Sequence, residues 1–151
     1  TDIIKIKTAD CSRYTPIKVT FVNKYGALQD LWFRLKSTET TDVRGESYKR
    51  STFNEGTLSY KTYQHQKQSF QVNGSDRITM NTGYLDDEHN AVMEELMLSE
   101  QVWMTKLTDE ELVLPISPRT KSITYKTSLN DKLANYTVEF DMAFDKINNI
   151  R

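Results

Sequence analysis

Residues able to do acid–base or metal chemistry are few and scattered along this chain. The histidines are His65 and His89, and the lone cysteine is Cys11. His89 follows Asp86, Asp87 and Glu88, and imidazole and carboxylate are both metal ligands. The spacing is neither His-Glu-x-x-His nor a calcium loop with its central glycine. The acidic run reads better as a helix N-terminus, where carboxylates complement free backbone N–H groups. Glu94-Glu95 and Glu110-Glu111 are carboxylate pairs, but adjacent helical side chains point apart and cannot share a proton. No Gly-x-Ser-x-Gly, Gly-x-Gly-x-x-Gly or Walker loop occurs. Cys11 has no second cysteine for an intrachain disulfide or a cysteine metal cluster, which fits synthesis in a reducing cytosol. The expectation is a protein that is not an enzyme and uses no cofactor or metal. Asn73-Gly74-Ser75 and Asn135-Tyr136-Thr137 match the glycosylation pattern, and in this context they read as chance.

Aromatic residues are the better candidates. Trp32 is out of phase with Leu31, Phe33 and Leu35, so it faces away from the core those residues imply. Tyr48, Tyr60 and Tyr63 lie in a polar stretch. Exposed apolar patches usually mark interfaces, so Trp32, Tyr48, Tyr60 and Tyr63 are expected to serve protein contact. The alternative is an aromatic platform for a carbohydrate. Trp103 reads as core.

The elements that must hold these residues are mostly strands. Ile17, Val19 and Phe21 alternate with Lys18 and Thr20, and Leu31, Phe33 and Leu35 alternate with Trp32 and Arg34. Asn23-Lys24-Tyr25-Gly26 is the turn between them. Residues 37–71 predict a long polar hairpin or arm, with extended segments over 40–51 and 57–71 and a tip near Asn54-Glu55-Gly56. Asn73-Gly74 predicts a tight hairpin turn between Phe70/Val72 and Ile78/Met80. A helix is expected over about residues 86–99, burying Val92, Met93, Leu96 and Met97. Asp109-Glu110-Glu111 predicts a turn, and Pro115 a strand end or edge. Ile123, Tyr125 and Thr127 predict a strand, Asn130-Asp131 a turn, and Tyr136 to Phe144 a long strand. Residues 1–13 read as an edge strand or arm.

The length of 151 residues favours a single domain, residues 1–151. The expected class is α+β, mostly β: an antiparallel sheet or sandwich-like domain with one main helix. Basic residues number 20 and acidic residues 21, which is not the footprint of a nucleic-acid binder. No apolar run approaches the ~20 residues of a membrane span. A net charge of −1 leaves self-association unopposed by repulsion.

Three stretches carry a resemblance. They are Tyr14-Thr15-Pro16-Ile17-Lys18-Val19-Thr20-Phe21-Val22-Asn23-Lys24-Tyr25-Gly26-Ala27-Leu28-Gln29-Asp30-Leu31-Trp32-Phe33, then Asn81-Thr82-Gly83-Tyr84 with Leu96 to Trp103, and then Ser122 to Asn149. Together the chain resembles structural proteins of tailed bacteriophages that infect Bacteroidota. The resemblance implies a virion component of the tail, neck or baseplate, made in the bacterial host cytoplasm. Its implied partners are further copies of itself, in a ring or stack, and other phage structural proteins. It brings no catalytic residues.

Overall fold

The computed structural model describes residues 13–51, 53–54, 57–106, 112–122 and 133–147. β1 (Ile17–Val22) and β2 (Leu28–Phe33) form an antiparallel hairpin. Asn23 builds its turn: Oδ1 accepts from the backbone N–H groups of Tyr25 and Ala27, each at 3.0 Å. Gly26 takes φ +79°, a left-handed conformation that costs a side chain-bearing residue energy. Next come β3 (Thr38–Lys49), the short strands β4 (Phe53–Asn54) and β5 (Thr57–Tyr60), and the long strand β6 (Lys67–Asp86). A 3-10 turn at Asp87–His89 leads into α1 (Asn90–Leu98). β7 (Val102–Lys106), β8 (Val113–Pro118) and β9 (Leu133–Ile147) complete the chain.

Seven strands form one antiparallel sheet in the order β2-β1-β7-β8-β9-β6-β3, and β4 pairs with β5 separately. The fold is therefore α+β, mostly β, as alternation predicts, with one curled seven-stranded sheet as its main body. The curl is visible in two contacts. Phe33 and Phe140 lie on the first and fifth strands of the order, yet their rings meet edge to face at 5.9 Å. Just past β2, the Leu35 N–H donates to the Asn81 carbonyl of β6 at 3.3 Å. The concave face holds the core: Ile17, Val19, Phe21, Leu31, Phe33, Ile78, Met80, Val102, Met104, Ile116, Val138 and Phe140. Met93 and Leu96 of α1 enter the same cluster, both fully buried. Burial of side chains this large contributes about 1.5–3 kcal/mol each.

Antiparallel order makes β1 and β6 run the same way. The β1–β2 turn, α1 and the last residues of β6 thus share one end of the sheet. The start of β6 and the end of β3 lie at the other.

Two expectations need correction. Asn73-Gly74 forms no turn; it lies inside β6, with Asn73 opposite Arg44 and Ile147, and Gly74 opposite Val43 and Lys146. Among the described residues only Gly26 and Gly83 are glycines with positive φ. A local turn preference lost to ladder hydrogen bonds with a strand on each side. The helix begins later than residue 86, because Asp86 still pairs with Leu133 and the 3-10 turn follows. No acidic residue occupies the first turn of α1, and its N-cap His89 makes no side-chain capping bond. Phe70 and Val72, which precede Asn73-Gly74, are 41% and 37% exposed.

The long polar hairpin does form, as β3 against β6, although its second strand starts at Lys67 where residues 57–71 were expected. Pro115 lies in β8 just before β8 gains β9 as a neighbour at Ile116, a stretch with β7 alone beside it. Cys11, the expected strand in residues 1–13, the tip at Glu55-Gly56, the turn at 109–111, and the strand and turn at 123–131 lie outside the described residues.

Candidate interaction surface

The arm is the most exposed part of the sheet. β9 pairs with β6 from Asn73 onward, so among the described residues Lys67–Val72 has β3 as its sole neighbour. All of β3 except Asp42 is exposed. The register shifts between Arg44 and Glu46, where β6 inserts an extra residue, and Gln71 there adopts φ +50°. A non-glycine residue in this region is strained and held by its surroundings. Gly45 lies opposite the bulge. A Cβ built on it would stand 3.0 Å from Val72 Cγ2, so only glycine fits without displacing Val72.

The four sequence-predicted residues divide between two places. Tyr48 lies in the arm, with its ring 5.8 Å from that of Phe70 and its hydroxyl donating to Gln68 Oε1 at 2.7 Å. Tyr63 follows β5 and is 72% exposed, with Lys61 Nζ 5.8 Å from its ring centroid. Tyr60 ends β5 opposite Phe53; its side chain lies outside the described residues. Trp32 is not brought to this group. It is half-buried on the convex face of β2, in a cleft of about 360 Å³ shared with Asp30, Arg34, Tyr84, Asp86 and His89. His89 Nδ1 is buried there without a hydrogen-bond partner.

Beside the arm, the convex face carries an ion-pair network that sequence reading missed. Arg77 Nη2 donates to Asp42 Oδ2 at 2.7 Å, and Nε donates to Asp141 Oδ1 at 3.2 Å. Arg119 Nη1 reaches Asp141 Oδ2 at 3.4 Å. These groups line a groove of about 650 Å³ with Arg44, Glu46 and Asp145. Hydrogen bonding to Asp141, with the nearby Asp42 charge, holds the Arg77 pKa above its ordinary value. At the arm's root, Lys146 and Thr41 both donate to Asp76, and these bonds hold its carboxyl below the ordinary aspartate range. The only sequence signal for the network was charge at alternating positions, such as Glu139 and Asp141; register with β6 and β3 decides the pairing.

Among the described residues, no group of three or more His, Cys, Asp or Glu is placed to hold a metal ion, and no helix is long and apolar enough to cross a membrane. Fold and surface together define a small, curled antiparallel β-domain with a projecting two-stranded arm. No known family model matches the chain, and a comparison with curated proteins finds no match.

Proposed function

We propose that this chain is a structural subunit of a tailed-phage virion, in the tail, neck or baseplate, that assembles with copies of itself and contacts other virion proteins. The observation that carries self-assembly is the exposed edge strand β3. One side of its backbone lacks a ladder partner among the described residues, and such edges pair with further chains. The virion setting rests on the resemblance of the stretches at 14–33, 81–84, 96–103 and 122–149. Mass spectrometry of purified particles, with light scattering of the isolated protein, tests both parts. Absence from particles would sink the virion setting, and a monomer at every concentration would sink self-assembly.

A second reading is a carbohydrate-binding domain in host attachment. It is favoured by Trp32 and the exposed Tyr84 in one cleft with Asp30 and Asp86. A glycan array probed with the protein and with Trp32→Ala decides it. Binding that survives the substitution, or no binding at all, rejects this cleft as the platform.

A further inference from the structure

The proposed self-assembly leaves open which surfaces meet, and the distribution of charge narrows the choice. Residues 44–72, from the bulge through the arm and back, hold five basic residues (Arg44, Lys49, Arg50, Lys61, Lys67) and two acidic ones (Glu46, Glu55). Residues 78–105, which include the opposite end of β6 and all of α1, hold six acidic residues and neither Lys nor Arg. β6 runs from the first region to the second, and its 20 residues span at most roughly 65 Å at ~3.3 Å per residue, with Lys67 at one end and Asp86 at the other. The first stretch is net basic and the second net acidic.

Two local features indicate that the basic end faces a partner. Lys49 lies directly opposite Lys67 in the β3–β6 register, and like charges at that position destabilise a strand pair. A local rule broken without an internal compensation is expected at a functional surface. The other face of the same ribbon displays Tyr48 and Phe70, 47% and 41% exposed, with their rings edge to face.

The acidic end has a matching receptacle. Between the C-terminus of α1 and the β1–β2 turn runs a groove of about 470 Å³, lined by Val22, Lys24, Glu95, Leu98 and Glu100 among others. Leu98 is 75% exposed at its rim, and Tyr25 on the turn is 82% exposed. Lys24, the one base there, is already paired with Glu95 at 3.0 Å, which raises its pKa. Glu94 and Glu100 are both exposed.

Building on the self-assembly reading, we infer that the basic arm of one copy docks on the acidic helix end of a second copy, head to tail. Lys49, Arg50 and Lys67 face Glu94 and Glu100, while Tyr48 and Phe70, on the other face of the ribbon, lie outside this contact. The contact joins two different surfaces, so it propagates as a ring or a stack.

Charge swaps test this. An arm variant (Lys49→Glu, Arg50→Glu, Lys67→Glu) and an end variant (Glu94→Lys, Glu100→Lys) change only exposed side chains; circular dichroism checks that each folds. Sedimentation velocity then follows mass against concentration. Each variant alone should need at least about tenfold more protein to associate than the wild type, because like charges now meet. An equimolar mixture should recover association, since each arm again finds an end of opposite sign. Association of the end variant at wild-type concentrations overturns the inference and points to arm-to-arm pairing. Wild-type association untouched by both variants overturns the inference while leaving self-assembly intact. A wild type that stays monomeric throughout removes the self-assembly reading itself.

Discussion

One of the contacts that close the sheet can be measured directly. Phe33 and Phe140 are 1% and 0% exposed, and their rings are perpendicular with centroids 5.9 Å apart. Replacing either by Leu keeps most of the volume and costs about 1.5 kcal/mol. The edge-to-face pair itself is worth about 0.5–1.5 kcal/mol beyond burial. Once one ring is gone, removing the other forfeits no pair energy. The double variant Phe33→Leu/Phe140→Leu should therefore lose about 1 kcal/mol less than the two singles combined. Urea titration reads this as midpoint shifts at constant slope. Additivity within about 0.3 kcal/mol would mean the residues do not touch. The first and fifth strands would then lie apart, and the curled sheet would be wrong.

Other consequences are local. Gly74→Ala should change stability by no more than about 0.5 kcal/mol, because its backbone is strand-like and an added Cβ meets nothing closer than 3.6 Å. Gly83→Ala, at φ +79°, should cost about 1–2 kcal/mol; thermal melts that reverse this order would restore a turn at Asn73-Gly74. Thr82→Val should cost about 0.5–1.5 kcal/mol in urea titration, since it removes the hydrogen bond that the buried Thr82 hydroxyl accepts from the Tyr136 N–H at 3.2 Å. Asp76→Asn tests the lowered carboxyl pKa. Its folded value lies below the ordinary 3.8, so its stabilisation is present above about pH 4 and fades as pH falls through the folded value. The stability gap between wild type and Asp76→Asn should close in urea titrations taken from pH 7 to 2; a gap that persists at the acid end refutes the pairing with Lys146.

Much of the concave face was legible in the sequence. Ile17, Val19 and Phe21 alternate with polar residues over a short strand, and all three are buried. The β1–β2 turn was legible because Asn23 and Gly26 act within four residues. The error at Asn73-Gly74 has the opposite cause: a strong local signal was outweighed by pairing with Val43 and Lys146, which are remote in sequence. Phe70 and Val72 are exposed for a related reason. Among the described residues β3 is the only strand beside them, and the bulge at Gln71 sets them apart from the part of β6 that β9 covers. The arm's candidate residues were half legible: Tyr48 and Tyr63 could be picked by polar context, whereas Phe70 and the Arg77 network needed the register.

The bulges explain how one strand serves both core and arm. β6 carries one at Gln71-Val72 and one between Asn81 and Tyr84, and β9 carries a third between its partners of Ser75 and Arg77. Each bulge increases local twist and bends the strand that carries it. Between the two bulges of β6, Ile78 and Met80 are fully buried. Beyond the first bulge, burial ends on both faces of the ribbon and aromatic residues become exposed. At the second, the ladder partner of Tyr136 is displaced, and the Thr82 hydroxyl replaces it. The bulge-bounded segment is the sheet's structural stave. Because a lone two-stranded ribbon is marginally stable in water, the segment before Gln71 gains most from a partner that covers it. The strain at Gln71 and the facing lysines Lys49 and Lys67 stand on that side of the bulge, where a docked neighbour can offset both and where they leave the core untouched.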